Sequence, residues 1–447
     1  MIFMSSKNPA ILTIMKIIQN ILFPKNFIYV NIKAIRAKCI DRNNIWQFRS
    51  YNNLSKRVTV MVTGSKELIR DINTKLVLET IINNNAISRA AIAKHLGLTK
   101  ATISAIVQEL INKKLVIEIG SDDTSLGRKP ILLSINKKAG YVICIDIGVE
   151  TISALVSDLI GEDCSLKQIK TPKNTSNIIN VLIELIESMK RPKDAPFDLV
   201  GITLGIHGVI ADNQVSFAPY YNLTGINLAD GLENHFNAPV FLENEANLSV
   251  IGEKTFQYDY ANIANISVHS GIGLGIIINH QLYTGYNGRA GEFGHTIIEI
   301  DGRQCPCGNK GCLEQYVSER MLLQEFAALK GIPETDFETF RKAYEENDQD
   351  AIKIMTDFIK YMSVCVNNIL NAYNPNIVII NSSFTIYFPH ITEQIEAALT
   401  SRMNSFIRIV PSVLQDTSIL LGGICVAIKG FFSIDLLKLN HISLRSM

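Results

Sequence analysis

The chain has 447 residues, 47% of them apolar and 19% charged, with a formal net charge of +1; that length predicts two or three domains. No apolar run reaches the ~18 residues that cross a bilayer, and the stretch from Ile11 to Phe23 is broken by Lys16 and Gln19 and lacks a small-residue cleavage site, which argues against a signal peptide. The charge is uneven: residues 1–60 hold ten Lys and Arg against one acidic residue, residues 61–138 twelve against seven, and residues 139–447 21 against 34, so a polyanion is expected to meet the front of the molecule.

Residues 1–60 are rich in Ile, Asn and Lys without sustained periodicity or convincing caps. They read as a poorly organised extension, either an over-extended reading frame ahead of a biological start at Met61 or a disordered arm. A helix is predicted from Ile72, its inner face formed by Ile72, Leu76, Val77, Thr80 and Ile81. Ser88 can cap a second helix with Ala91, Ile92 and Leu96 inside. Gly97 then makes a turn, and Thr99 caps a third helix with Ile103, Ile106, Val107 and Leu110 at i, i+3, i+4, i+7. This order is a helix-turn-helix. Thr99, Lys100, Thr102 and Ser104, at the start of the third helix, stand where a recognition helix meets the major groove. Apolar strands over Leu115–Ile119 and Ile131–Ile135 flank SDDTSLGRKP and predict a wing whose tip carries Arg128 and Lys129 toward DNA phosphate or a minor groove.

From residue 139 the pattern becomes α/β, with strands expected at Tyr141–Ile147, Thr151–Asp158, Leu199–Leu204, Val240–Leu242 and Ile263–Ser267. A helix is expected over Asn177–Met189 and longer helices from Ser318 onward. The chain is therefore divided into residues 1–60, a DNA-binding winged helix over 61–138, and an α/β domain over 139–447.

Three of the eight cysteines, Cys305, Cys307 and Cys312, fall within eight positions, ten residues after His295. A C-x-C-G-x-x-G-C knuckle suits a metal, since Gly308 and Gly311 let the backbone turn until the sulfurs converge. Three thiolates and an imidazole complete the tetrahedral shell of zinc and leave no open position, so the expected role is structural. Cys39, Cys144, Cys164, Cys365 and Cys425 show no disulfide spacing and read as reduced thiols of a cytoplasmic protein. Glu292 and Glu314 are interleaved with the metal ligands.

G-E-x-G-H followed by C-x-C-G-x-x-G-C-x-E resembles the signature of the ROK family, which contains bacterial sugar kinases and sugar-responsive repressors. The resemblance spans about residues 70–435. It implies an actin-like, two-lobed domain, zinc on His295, Cys305, Cys307 and Cys312, and sugar hydroxyls on Glu292 and Glu314. His295 is implied to face the sugar with its other ring nitrogen. ISRAAIAKHLGLTKATIS and the GRKP wing resemble the winged helix of ROK repressors, which the family's kinases lack.

The kinase features are altered. Where ROK kinases resemble D-x-G-G-T, this chain has Asp146-Ile147-Gly148-Val149-Glu150, placing a β-branched residue and a carboxylate where backbone should approach phosphate. The second turn, Ser270-Gly271-Ile272-Gly273-Leu274-Gly275, keeps its glycines, which a tight strand turn would need as well. The strand end expected against adenosine reads Asn381-Ser382-Ser383, without glycine. N-D-A-N becomes Asn244-Glu245-Ala246-Asn247, and the longer side chain at the former catalytic position, Glu245, shifts a general base by about an ångström. LENEAN, NKKAGY and GEKTF resemble the branch of ROK repressors that control xylose operons. The expectation is a cytoplasmic, zinc-containing repressor that binds operator DNA as a homodimer or tetramer and needs no ATP. It would be released by xylose or a glucose-like monosaccharide held by Asn244, Glu245, Glu292, His295 and Glu314. The alternatives are an ATP-dependent, glucokinase-like ROK kinase, and a regulator released by a protein partner.

Overall fold

The structure is a computed structural model that describes residues 66–121, 130–189 and 195–439, with the backbone alone of two earlier strands. It divides into two compact units, Met1–Ile72 and Asn73–Met447. In the first, β1 (Ile35–Cys39) and β2 (Trp46–Ser50) pair antiparallel, Cys39 opposite Trp46.

The second unit opens with most of α1 (Lys66–Asn84), followed by β3 (Ile87–Ser88), α2 (Arg89–Leu96), α3 (Lys100–Asn112), β4 (Val116–Ser121) and β5 (Ile131–Ile135). The strands form a three-stranded sheet in the order β3-β5-β4, so α1 to α3 with this sheet make a winged helix. Ser88 accepts the Ala91 N–H and Thr99 the Thr102 N–H, capping α2 and α3. Gly97 turns between them at φ 66°, a left-handed conformation that suits glycine. Ile103, Ile106, Val107 and Leu110 are buried as their spacing predicts. Two assignments of inner residues are corrected. Ala91 is exposed and Ala93 buried. On α1 the buried face is Val77, Leu78, Thr80, Ile81 and Ile82, while Ile72 and Leu76 are exposed. The face is rotated because the segment after the last helix lies along α1. Glu79 Oε2 accepts the N–H groups of Asp435 and Leu436 (3.0 and 3.1 Å), and Asn83 bonds the Leu436 carbonyl and the Lys438 N–H (3.0 and 2.7 Å). Arg128 and Lys129 lie outside the described residues.

Two lobes follow. The first contains β6 (Tyr141–Ile147), β7 (Thr151–Asp158), β8 (Ser165–Lys170), α4 (Ile178–Glu187), β9 (Leu199–Ile206), the hairpin β10 (Val209–Ala211) and β11 (Gln214–Phe217), α5 (Leu228–Phe236) and β12 (Val240–Asn244). The helix α6 (Glu245–Phe256) leads to the second lobe: β13 (Ile263–Val268), β14 (Ile272–Ile278), β15 (Gln281–Leu282), α7 (Glu314–Val317), α8 (Glu319–Lys330), α9 (Phe337–Glu345), α10 (Gln349–Tyr373), β16 (Ile377–Asn381), α11 (Ser383–Tyr387), α12 (His390–Ala397) and β17 (Arg408–Pro411). The chain then enters α13 (Thr417–Phe432).

The sheets repeat one plan. In each lobe three antiparallel strands (β6-β7-β8, β13-β14-β15) are extended on the side of the first by two parallel ones (β9 then β12, β16 then β17). This duplicated α/β plan is the actin-like arrangement. Parallel strands covered on both faces read as continuous apolar runs, and every residue of β9, β13 and β16 is buried. The helices α6 and α13 knit the lobes together. A Cβ on Gly252 would lie 2.3 Å from the Ser418 carbonyl oxygen, and one on Gly422 1.9 Å from that of Leu248, so glycine alone allows these helices to pack backbone to backbone. The residues Leu420, Leu421, Ile424, Ala427 and Ile428 of α13 share one core with Val142, Cys144 and the winged helix.

Candidate functional site

The site forms where β12 runs into α6. Asn244 caps α6, accepting the Ala246 and Asn247 N–H groups (2.9 and 3.3 Å) and donating one amide hydrogen to the Gly208 carbonyl (2.9 Å). Most of its polar capacity is thus structural, and one N–H remains for a ligand. Glu245, the first residue of α6, is buried and accepts the Ser267 hydroxyl at 2.9 Å. Its Oε1 lies 2.9 Å from the point where a Cβ on Gly273 would stand, beside β14 of the second lobe, and its charge is felt by His207, Tyr220, Tyr221 and Glu292. Glu314 arrives from the second lobe, where its Oε2 accepts the Ile272 N–H at 3.2 Å. Glu292 has its carboxyl pushed above the usual range by burial, with Glu314 and Glu245 adding to the effect against His295 and Arg289. Three carboxylates therefore converge on one cleft, rich in acceptors for a polyol.

His295, Cys305, Cys307 and Cys312 bring their ligand atoms within 4.8 Å of one another, the one such group among the described residues. His295 Nδ1 lies 3.6 Å from Cys305 Sγ, and Cys307 Sγ 3.6 Å from Cys312 Sγ. A tetrahedral metal with sulfur bonds of about 2.3 Å requires ligand separations of roughly 3.8 Å, so the donor set and its spacing fit a metal ion. Gly311 makes the knuckle possible: at φ 75° it passes so near Glu299 that a Cβ would lie 1.7 Å from that carbonyl oxygen. The other ring nitrogen of His295, Nε2, is 4.0 Å from Glu292 Oε2. The imidazole thus stands between the sulfur cluster and the cleft. Cys312 also directly precedes Leu313 and Glu314, so the knuckle fixes the start of α7.

The structure adds residues that the sequence did not single out. Tyr220 reaches from the first lobe to the second: its hydroxyl and Glu314 Oε2 lie 2.8 and 2.9 Å from the point where a Cβ on Gly271 would stand. Burial and the neighbouring Glu314 push its phenol up to about 12. His207 Nε2 is 3.0 Å from Asp146 Oδ1. Burial opposes charge on this imidazole, but Asp146, through its charge and hydrogen bond, and Glu245 prevail and hold its pKa at about 9. An ion pair therefore occupies the end of β6. No short-range sequence signal could have paired residues so far apart.

Gly273 and Gly275, read as part of a phosphate turn, lie inside β14. They serve packing: a Cβ on Gly273 would meet Ala246 Cβ at 2.7 Å, and one on Gly275 the Ala246 carbonyl at 2.2 Å. At the end of β16 the Ser383 N–H (2.6 Å) and the Ser382 hydroxyl (3.1 Å) donate to Glu319 Oε1, and the Ser383 hydroxyl donates to Oε2 (3.2 Å). A carboxylate of the chain itself thus takes these donors. Val149 is exposed on the first-lobe turn.

In the DNA-binding segment, Lys100 and Ser104 are exposed on α3 and Thr102 is half-buried. Thr99 and Thr102 hydroxyls lie 2.9 Å apart, so Thr99 is engaged in capping. No helix among the described residues is long and apolar enough to cross a membrane.

Comparison with known proteins agrees with this architecture. Residues 142–429 match the ROK family model, and residues 72–124 match the MarR family model. The xylose repressor of Bacillus spizizenii is 35% identical over 384 residues, covering 84% of this chain and 99% of that protein. The xylose repressor of Bacillus subtilis is 34% identical over 381 residues, covering 83% and 98%. A crystal structure of a ROK family transcriptional regulator, a homologue of the Escherichia coli MLC protein, superposes with a TM-score of 0.70 at 23% identity, covering 81% of this chain and 97% of that one. A ROK family glucokinase from Streptomyces griseus, solved with glucose and AMPPNP, gives a TM-score of 0.58 at 23% identity over 65% of this chain and 100% of that one. Both structures carry the fold alone. The chain belongs to the ROK family, with a MarR-type winged helix ahead of its sugar-kinase-like lobes.

Proposed function

We propose that the protein is a cytoplasmic, DNA-binding repressor of a sugar-utilisation operon, released from its operator by a monosaccharide, with xylose as the effector. The observation that carries the reading is a physical route from cleft to DNA-binding domain. Glu245 begins α6, α6 packs on α13 through Gly252 and Gly422, and the segment after α13 is hydrogen-bonded to Glu79 and Asn83 of α1. Sugar is held by Glu245, Glu292, Glu314 and the free amide hydrogen of Asn244, with His295 Nε2 at the rim. The metal is zinc, bound by His295, Cys305, Cys307 and Cys312, and its part is structural: it keeps Glu292 and Glu314 in register.

A homodimer presents two copies of α3, with Lys100, Thr102 and Ser104, to operator half-sites about one helical turn apart. Arg128 and Lys129 supply phosphate contacts. Sugar closes the lobes, and the closed form displaces the winged helices from that spacing. The ligand shifts the balance only by its preference for the closed form. The relatives named xylose repressors support the choice of effector. Loss of kinase activity is supported by Glu319 engaging the donors at the end of β16 and by Val149 on the phosphate turn.

The test is a gel-shift assay with the promoter upstream of the protein's own gene, with and without xylose and glucose. Release by one of them is expected. Retention in the presence of both, or sugar-dependent ADP release above roughly 1 s⁻¹, within the ordinary range of enzymes, overturns the reading.

A further inference from the structure

A cavity of about 510 Å³ adjoins the cleft on the first-lobe side, within the roughly 300–1,000 Å³ range of small-molecule sites. Tyr220 joins the two spaces: it lines the cavity, and its hydroxyl reaches Gly271 and Glu314 of the cleft. The wall is fixed by side chains bonded to backbone. The Thr171 hydroxyl donates to the Gly148 carbonyl (2.7 Å), the Thr175 hydroxyl donates to that of Asn222 (2.9 Å), and Asn174 accepts the Ser176 N–H (2.9 Å).

What remains is a set of uncommitted polar groups. The solvent-exposed side chains of Lys173, Ser176, Asn222 and Thr224 line this open cavity without a hydrogen-bond partner among the described residues. The lining contains no carboxylate and a single cation. An apolar occupant would leave these groups unpaired as it expelled their water. A multiply charged anion would find one ammonium and no guanidinium, whereas anion sites favour bidentate arginine. Hydroxyls and amides, each both donor and acceptor, beside tyrosine rings match a neutral polyhydroxylated ring.

We propose that this cavity is a subsite for a second pyranose ring, glycosidically linked to the ring held among Glu245, Glu292 and Glu314, so that the protein prefers a disaccharide to its monosaccharide. The inference rests on the sugar-effector reading above. Calorimetric titration of the full chain with xylose against β-1,4-xylobiose, and with glucose against cellobiose, tests it. For whichever monosaccharide binds, the disaccharide is expected to bind at least tenfold tighter. Thr224→Trp, which places a large side chain in the cavity lining and alters none of the residues assigned to the first ring, should remove that advantage while leaving monosaccharide affinity within twofold. Should this variant fail to fold, Ser176→Ala with Asn222→Ala should reduce the advantage at least threefold. Equal affinity of monosaccharide and disaccharide in the unaltered protein overturns the subsite alone, as does a disaccharide advantage that survives in the folded variants. Binding of none of the four sugars overturns the effector reading and the subsite with it.

Discussion

Glu253 on α6 has one carboxylate oxygen satisfied, by the Ser412 hydroxyl and the Leu414 N–H, and the other buried without a partner. Burial raises its pKa from 4.5 to about 7 against those hydrogen bonds. Because the folded value lies above the unfolded one, its favourable contribution is complete below pH about 4.5 and is lost as pH rises through about 7. At pH 8 the buried charge costs on the order of 3 kcal/mol. The neutral isostere in Glu253→Gln should therefore match the parent near pH 4.5 and exceed it at pH 8, which denaturant titration at both pH values measures. No gain at pH 8 would show that the carboxylate is solvated or paired after all. At the knuckle, Cys307 is the exposed ligand and the one best suited to substitution. If the knuckle holds zinc as proposed, Cys307→Ser should lower bound zinc, read by elemental analysis, and weaken sugar binding, because the segments carrying Glu292 and Glu314 lose their clamp. Full sugar affinity in a zinc-depleted protein would remove the metal from the account.

At the scale of elements, the segment joining α13 to α1 lends itself to a test of coupling. Glu79 and Asn83 make four hydrogen bonds to residues 435–438, each worth about 1 kcal/mol. Glu79→Ala with Asn83→Ala should leave sugar affinity within twofold and abolish release from operator DNA by sugar. Calorimetry and gel shift on the same preparation measure both, and unimpaired release would place the route elsewhere. Elements with local signals were legible in the sequence. The caps Ser88 and Thr99, the Gly97 turn and the apolar runs of β6 and β7 state their structure in a few consecutive residues, as do the sulfurs of the knuckle. Edge and crossing features were less so. The strand β8 is mostly exposed and lacks an apolar run. The glycines of β14 resembled a turn because their reason, Ala246 of α6, lies 27 or more residues away. The buried face of α1 was misplaced because its cover comes from residues 435–438. In the site, the carboxylates adjoining the knuckle were readable, but His207 meets Asp146 across 61 residues and Glu319 meets Ser383 across 64, and only the duplicated fold brings them together.

For the whole molecule, the decisive question is which ligand the two lobes hold. A ligand that binds the folded state alone stabilises it by RT ln(1 + [L]/Kd), about 2.7 kcal/mol at one hundred times Kd. In the proposed arrangement a sugar would contact both lobes, Glu245 at their junction and Glu292 and Glu314 on the second, so its binding should resist their separation as well as their unfolding. On the same reading, nucleotide lacks a comparable foothold. The donors at the end of β16, the strand end expected against adenosine, already serve Glu319, and the first-lobe turn presents Val149 and Glu150 in place of bare backbone. Thermal unfolding should therefore move upward by several degrees with saturating effector sugar and stay unchanged with millimolar ATP and magnesium. Glu319→Gln, which removes the charge but keeps an acceptor, should not restore nucleotide binding, because Val149 and Glu150 still stand on the other lobe's turn. An upward shift with ATP in the unaltered protein would mean that the lobes still close on a nucleotide, and the kinase alternative would replace the repressor.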